Sequence, residues 1–256
     1  MHKDAPMDEA LRAKMRLPAF PLSAKYDLAW MVENEMGPSS VWLAEFLLGA
    51  MRLEPGMKVL DLGCGKAMSS IFLAKEVGCR VFATDLWIGA SENQARIEEA
   101  GVAGLVYPIH AEAHDLPYAH GFFDAVVSLD SYHYYGTDER YLEYITSFLK
   151  PGGRIGVVSP GVARGLSAED EELMGELWEP EFHTFKTPIF WRSLWERSRL
   201  VEVETADELP RGYEVWLHWD KTLKEAGVLK RSGDVAMLEK AGGNFTFVRV
   251  VGRKRG

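Results

Sequence analysis

From about residue 57 to 159, short runs of aliphatic and β-branched residues alternate with segments whose apolar positions recur at helical spacing. Met57–Leu62, Arg80–Asp85, Val106–His110, Phe123–Leu129 and Arg154–Ser159 read as five buried strands. Between them, Met68–Val77 reads as a helix that Gly78 ends. Ser91-Glu92-Asn93-Gln94 reads as a capping box opening a helix that stops at Gly101. Tyr141, Leu142, Ile145, Phe148 and Leu149 form an apolar helical stripe closed by a turn at Pro151-Gly152-Gly153. Strand and helix in alternation predict a parallel sheet with crossover helices. Upstream, Val41, Trp42, Phe46, Leu47 and Met51 predict a helix capped near Ser40. Downstream the pattern changes. Residues 160–198 and 208–242 read as helical insertions, with Leu200–Thr205 and Asn244–Val251 as further strands. The expected organisation is an N-terminal lid segment, 1–37, followed by one α/β domain, 38–256, bearing both insertions.

Composition narrows the function classes. The chain has 256 residues, 47% hydrophobic and 26% charged, enough to bury a core without a disulfide or metal staple. Its two cysteines, Cys64 and Cys79, have no metal-ligand spacing, so no metal site is expected and a reducing, cytoplasmic compartment fits. With 29 basic against 38 acidic residues the net charge is −9, which argues against a nucleic-acid partner. The basic triplet Arg253-Lys254-Arg255 reads as a solvated tail. The first twenty residues carry charges throughout, so no targeting segment is expected. The most apolar stretch, Val41–Met51, is interrupted by Glu45 and too short to span a bilayer, so no membrane partner is expected.

The chemistry is concentrated where the first strand turns. Val59-Leu60-Asp61-Leu62-Gly63-Cys64-Gly65-Lys66-Ala67 is a strand, a glycine turn and a helix start. Glycines there let the backbone approach a ligand closely, and the carboxyl edge of an open parallel sheet is where ligands bind. Asp85, ending the second strand, can accept both hydroxyls of a ribose. A dinucleotide fingerprint would need its third glycine at position 68, which is Met68, so that reading fails. An acid followed by Gly-x-Gly is satisfied by Asp61, Gly63 and Gly65.

This pattern resembles the class I S-adenosylmethionine (SAM)-dependent methyltransferases, and the resemblance extends over roughly residues 38–160. Leu53-Glu54-Pro55-Gly56, Ala83-Thr84-Asp85-Leu86, His110–Tyr118, Phe122-Phe123-Asp124-Ala125-Val126-Val127-Ser128 and Leu149-Lys150-Pro151-Gly152-Gly153 are similar to family motifs in family order. The resemblance implies a Rossmann-like, seven-stranded, mostly parallel sheet with helices on both faces, its last two strands an antiparallel hairpin, plus helical lid insertions. It implies SAM as cofactor, S-adenosylhomocysteine as product, and a donor site at Asp61, Gly63, Cys64, Gly65, Asp85, Leu86, Glu112, Ala113 and Leu129. Ala67 replaces the third glycine and is expected to have helical dihedrals. Glu112 stands where an aspartate is usual before the adenine. Trp87 could pack on the adenine face. Residues 160–243 match no family motif.

After the fourth strand, Ser128-Leu129-Asp130-Ser131-Tyr132-His133-Tyr134-Tyr135 opens onto the same edge. Asp130 and His133 resemble positions that face donor and acceptor. His133 is the first candidate base, followed by Tyr132, Tyr134 and His183. Five of the eight tryptophans fall after residue 170, and Trp191 and Trp195 are expected as walls of a lidded acceptor pocket. The expected function is methyl transfer to a small-molecule acceptor, with aromatic walls and acidic excess leaning toward an amine. The acceptor atom, N, O or S, and the oligomeric state are unknown from these motifs. The alternatives are a non-catalytic SAM-binding protein and a cyclopropane-synthase-like lipid modifier.

Overall fold

The computed structural model describes residues 9–227 and 233–256. Residues 1–8 of the expected N-terminal segment and 228–232 of the expected second insertion lie outside the described residues. The elements run α1 (Glu9–Met15), α2 (Leu28–Asn34), α3 (Ser40–Leu48), β1 (Lys58–Leu62), α4 (Met68–Val77), β2 (Arg80–Asp85), α5 (Ala90–Glu99), β3 (Val106–His110) and β4 (Phe123–Leu129). They continue with α6 (Glu139–Ser147), β5 (Leu149–Val162), α7 (Ala168–Met174), α8 (Pro188–Ser198), β6 (Val201–Glu208), α9 (Gly212–Glu225), α10 (Gly233–Ala241) and β7 (Phe245–Lys254).

The seven strands form one sheet of order β3-β2-β1-β4-β5-β7-β6. β1 to β5 pair in parallel, while β7 inserts antiparallel between β5 and β6. The strand order reverses at β1 and β4, and the crevice outside the carboxyl ends of these two strands is the place such a sheet offers a ligand. One face is covered by α3, α4, α9 and their neighbours, the other by α6 and α8, so β1 and β4 are buried on both sides. That double burial is why they read as continuous apolar runs in the sequence.

The N-terminal segment joins the same core. Met15, Phe20, Leu28, Met31 and Val32 are buried with α3 and α9. Phe20 stacks on Trp42, and Trp42 meets Trp219 edge-on at 4.9 Å. The Trp219 indole N–H donates to Glu35, a carboxylate that is itself buried.

Several local expectations are corrected. The capping box at Ser91 does not form: the cap is Gly89, two residues earlier, and its carbonyl accepts from Glu92 and Asn93. The cap expected near Ser40 is Ser39, which accepts from the Trp42 N–H at the start of α3. Pro151-Gly152-Gly153 lies within β5 as an irregularity: Phe123 pairs with Leu149, and regular pairing resumes at Ala125 with Arg154. Residues 160–162 continue that strand, so the first insertion begins after Val162. The basic triplet is not a loose tail. Arg253 pairs with Glu202, the Lys254 ammonium donates to the Leu149 carbonyl, and Arg255 donates to Val201.

Trp191 and Trp195 are core rather than pocket wall. They are 1% and 0% exposed on the sheet face of α8, packed around the Tyr132 ring.

Candidate functional site

The glycine turn after β1 is fixed from both sides. Gly63 and Cys64 donate to the Thr84 carbonyl on β2, and Gly65 donates to Asp85 Oδ2 at 2.8 Å. Asp85 Oδ1 accepts from the amides of Trp87 and Ile88 at 2.7 and 2.9 Å. One carboxylate therefore ties the loop after β1 to the loop after β2. The side-chain amide of Asn93 on α5 donates to the Gly65 carbonyl, and Arg96 links Asn93 to Asn34 at the end of α2.

Gly63, Gly65 and Ala67 all take left-handed backbone, with φ of 70°, 53° and 59°. At Ala67 this departs from the helical dihedrals expected. It is the residue before α4, where the chain reverses into the helix, and its methyl is fully buried. A side chain at Gly63 would sit 2.5 Å from Ser131 Cβ, and one at Gly65 would sit 2.9 Å from the Met36 sulfur. A Cβ is excluded at Gly63 by the Ser131 Cβ, and at both glycines it would meet left-handed backbone that disfavours a side chain.

Asp61 lies beneath the loop and is completely buried. Its Oδ2 accepts from Ser69 and Ser70 in the first turn of α4, both at 2.6 Å, while Oδ1 has no hydrogen-bond partner among the described residues. Burial pushes its carboxyl up to about 6, against the lowering effect of the two serines. The sign follows from linkage. A raised folded pKa makes the group's contribution to stability fully present below about pH 4 and lost as pH rises through about 6. A displacement from 3.8 to about 6 corresponds to a cost on the order of 3 kcal/mol for the ionised form. Asp61→Asn is therefore expected to become more stable relative to the parent as pH goes from 5 to 7. Paired chemical-denaturation curves at the two pH values check this; a gap independent of pH would contradict it.

These elements open onto a cavity of about 530 Å³. Its lining contains Gly63, Cys64, Gly65, Asp85, Leu86, Glu112, Ala113 and Leu129 of the expected donor residues, together with His133 and Tyr134. Three expected residues stand outside it. Asp61 reaches the cavity only through Ser69, which does line it. Tyr132 is turned away, fully buried among Tyr135, Tyr141, Trp191 and Trp195, and burial raises its phenol far above the usual range. A phenol in that position cannot touch an acceptor. His183 also lies outside the lining, exposed beside Trp178.

Glu112 lines the cavity but is bound to its neighbour: its Oε1 pairs with His114 Nδ1 at 2.8 Å and its Oε2 accepts from the His114 amide. The hydrogen bond from His114 lowers its carboxyl. Leu86 and Trp87 are 49% and 75% exposed at the cavity edge. His133 is 1% exposed, packed between Tyr134 and Phe185, with Nδ1 lacking a partner among the described residues. Desolvation drops its pKa to about 3, so the imidazole is neutral throughout the working range of an enzyme and is a weak base.

The segments expected as a lid supply much of the remaining lining, through individual residues that no sequence motif marks. Asn34 at the end of α2, Met36, Gly37 and Pro38 in the connection, and Ser40 at the start of α3 form one side. Gly37 lies against Asp130, which itself takes left-handed backbone with φ 53° just past β4. Glu176, Glu179, Glu181, Phe182 and Phe185 come from the stretch between α7 and α8, and Trp216 comes from α9. The sequence signals available were Gly37 beside Pro38 and the Glu-rich, Phe-containing run at 176–185.

A glycine turn after β1, an acid at the end of β2 and a cavity at the β1–β4 switch point define a site for a nucleoside-type ligand with room beside it. Residues 59–153 match the family described as a methyltransferase domain. The chain is 30% identical over 178 residues to the glycine/sarcosine/dimethylglycine N-methyltransferase of Actinopolyspora halophila, covering 68% of this chain and 31% of that one. It is 31% identical over 169 residues to the sarcosine/dimethylglycine N-methyltransferase of Halorhodospira halochloris, covering 63% and 59%. The chain thus spans less than two thirds of the length of either relative. In structure it superposes on phosphoethanolamine N-methyltransferase 2 of Haemonchus contortus, solved with S-adenosylhomocysteine and phosphomonomethylethanolamine. There the TM-score is 0.72 at 19% identity, over 96% of this chain and 61% of that one. The chain belongs to the class I SAM-dependent methyltransferases.

Proposed function

We propose that the protein is a SAM-dependent methyltransferase acting on a small-molecule acceptor. The observation that carries this is the cavity at the β1–β4 switch point, which joins the glycine turn and Asp85 on one side to His133, Tyr134 and Phe185 on the other. The residues fit the donor. Gly63 and Gly65 let backbone approach it, Asp85 offers carboxylate oxygens to the ribose hydroxyls, and Leu86, Ala113 and Leu129 supply apolar contact for the adenine. Glu112 reaches the adenine amine by exchanging its His114 contact. Asp61 acts as a positioning residue, holding Ser69 and Ser70 at the start of α4.

When bound, SAM supplies a methyl group already activated on a sulfonium. The chain's own work is to hold an acceptor in line with that methyl and exclude water, which is worth on the order of 7–11 kcal/mol. His133 serves as a neutral wall and hydrogen-bond acceptor rather than a general base. The 36–38 segment and the 176–185 stretch close over the acceptor as a lid. The acidic cavity mouth disfavours an acyl chain and with it the lipid-modifier alternative. Net charge −9 and two unpaired, buried cysteines support a soluble cytoplasmic enzyme without a nucleic-acid partner. Among the described residues no helix is long and apolar enough to cross a membrane.

The test is calorimetric titration with SAM and S-adenosylhomocysteine. Asp85→Ala is expected to weaken both roughly 10- to 100-fold, since hydrogen bonds to a charged group contribute about 1.5–3 kcal/mol. Undiminished binding in Asp85→Ala, or binding of NAD in place of SAM by the parent, would overturn the donor assignment.

A further inference from the structure

The acceptor side of the cavity has a one-sided charge pattern. Its carboxylates are Asp130, Glu176, Glu179 and Glu181. Among the described lining residues the only Lys or Arg is Lys66, on the glycine-loop side, and its ammonium donates to the Glu33 carbonyl at 2.8 Å. No arginine lines the cavity among the described residues. The carboxylates stand among ring faces. Tyr134 is half exposed and donates its hydroxyl to Glu181 Oε2 at 3.2 Å, and Phe182 and Phe185 form the floor behind. His133 adds a nearly wholly buried polar side chain in the same wall, with Nδ1 unpartnered among the described residues.

We infer that the acceptor is an amine without an acid group, drawn in as a cation by Glu176, Glu179 and Glu181 and seated against Tyr134 and Phe185. This rests on the methyltransferase reading and narrows its substrate class. Three features favour it. Carboxylates gathered at the mouth of a low-dielectric cleft raise the local concentration of cations and repel anions. Aromatic faces add attraction for an ammonium group. A carboxylate or phosphate on the acceptor would need a guanidinium or comparable donor, and here it would meet like charge instead. The named amino-acid substrates of the two relatives carry such a carboxylate, so the acceptor here differs from theirs in that group.

The step balances without a further reagent. The acceptor ammonium first gives its proton to water at the exposed mouth. The nitrogen lone pair then forms the N–C bond as the C–S bond breaks, and the C–S electron pair stays on sulfur. The products are an N-methylammonium ion and the neutral thioether S-adenosylhomocysteine.

The experiment uses matched pairs that differ only in a carboxylate: tyramine and tyrosine, tryptamine and tryptophan, trimethylamine and dimethylglycine. Each is titrated into the protein saturated with S-adenosylhomocysteine, and turnover is followed with methyl-labelled SAM. The expected result is binding of at least one amine about tenfold or more tighter than its acidic counterpart, a preference that shrinks as salt rises. Glu181→Gln keeps an acceptor for the Tyr134 hydroxyl and removes the charge. It should weaken the amine about two- to fivefold and leave S-adenosylhomocysteine affinity unchanged, since a single screened charge contact is worth about that much. Preference for the acidic member, binding of neither series, or an amine affinity indifferent to Glu181→Gln overturns the inference while the donor reading stands. Failure of S-adenosylhomocysteine itself to bind overturns the donor reading instead.

Discussion

Gly63→Ala is expected to remove donor binding and to destabilise the fold by about 2–5 kcal/mol. The position has φ 70°, where an L side chain costs about 1–2 kcal/mol. The added methyl would also lie 2.5 Å from Ser131 Cβ and 3.3 Å from the Tyr135 hydroxyl. Rotating Ser131 moves its Oγ, the nearest atom, but leaves its Cβ in place, so the clash remains. Overpacking of this kind adds about 1–3 kcal/mol. The loop after β1 or the turn after β4 must move, and both line the cavity. A displacement near 1 Å is enough to cost about 100-fold in a positioned reaction. Thermal unfolding together with SAM titration of the variant measures both effects. Parent-like stability with parent-like binding would show that the loop and Ser131 are not in contact as described.

Trp195→Ala is expected to cost about 3–5 kcal/mol of stability, in the range for large aromatic residues cut from a core, and to leave donor and acceptor Michaelis constants unchanged in the folded fraction. Trp195 is 0% exposed, its ring packs 6.2 Å from Tyr132, and Gly252 on β7 comes within contact distance of it. Its indole N–H has no partner among the described residues, so Trp195→Phe should cost markedly less than Trp195→Ala. Denaturant titration of the two variants gives the ordering. An altered acceptor Michaelis constant with unchanged stability would return this residue to the pocket wall.

These two positions illustrate what the sequence made legible. β1 and β4 could be located because double burial leaves unbroken apolar runs, and the other parallel strands and the helix Met68–Val77 because glycines bound their apolar runs. Gly63, Gly65 and Asp85 could be picked out because their residue types are dictated by backbone geometry and by a strand-end carboxylate. Trp191 and Trp195 could not be sorted, since aromatic residues four apart on a helix look the same facing a core or a pocket. Tyr132 and His133 are adjacent and equally polar in the sequence. The turn at Tyr132–Tyr134 sends one ring into the α8 core and the other to the cavity. Alanine in place of the third glycine implied helical dihedrals at Ala67, yet the chain reversal into α4 places a left-handed residue there. Asn34, Met36 and Gly37 reach the cavity only through tertiary packing of α2 against the glycine loop, which no local pattern announces.

The most direct measurement is a single-turnover reaction of the purified protein with methyl-labelled SAM and the amine series, following label in the acceptor and S-adenosylhomocysteine together. The predicted result is one labelled methyl on an amine for each S-adenosylhomocysteine formed, abolished in Gly63→Ala and slowed in Asp85→Ala at subsaturating SAM. Tight SAM binding with no labelled product from any small acceptor would contradict methyl transfer and leave a SAM-binding protein without catalysis.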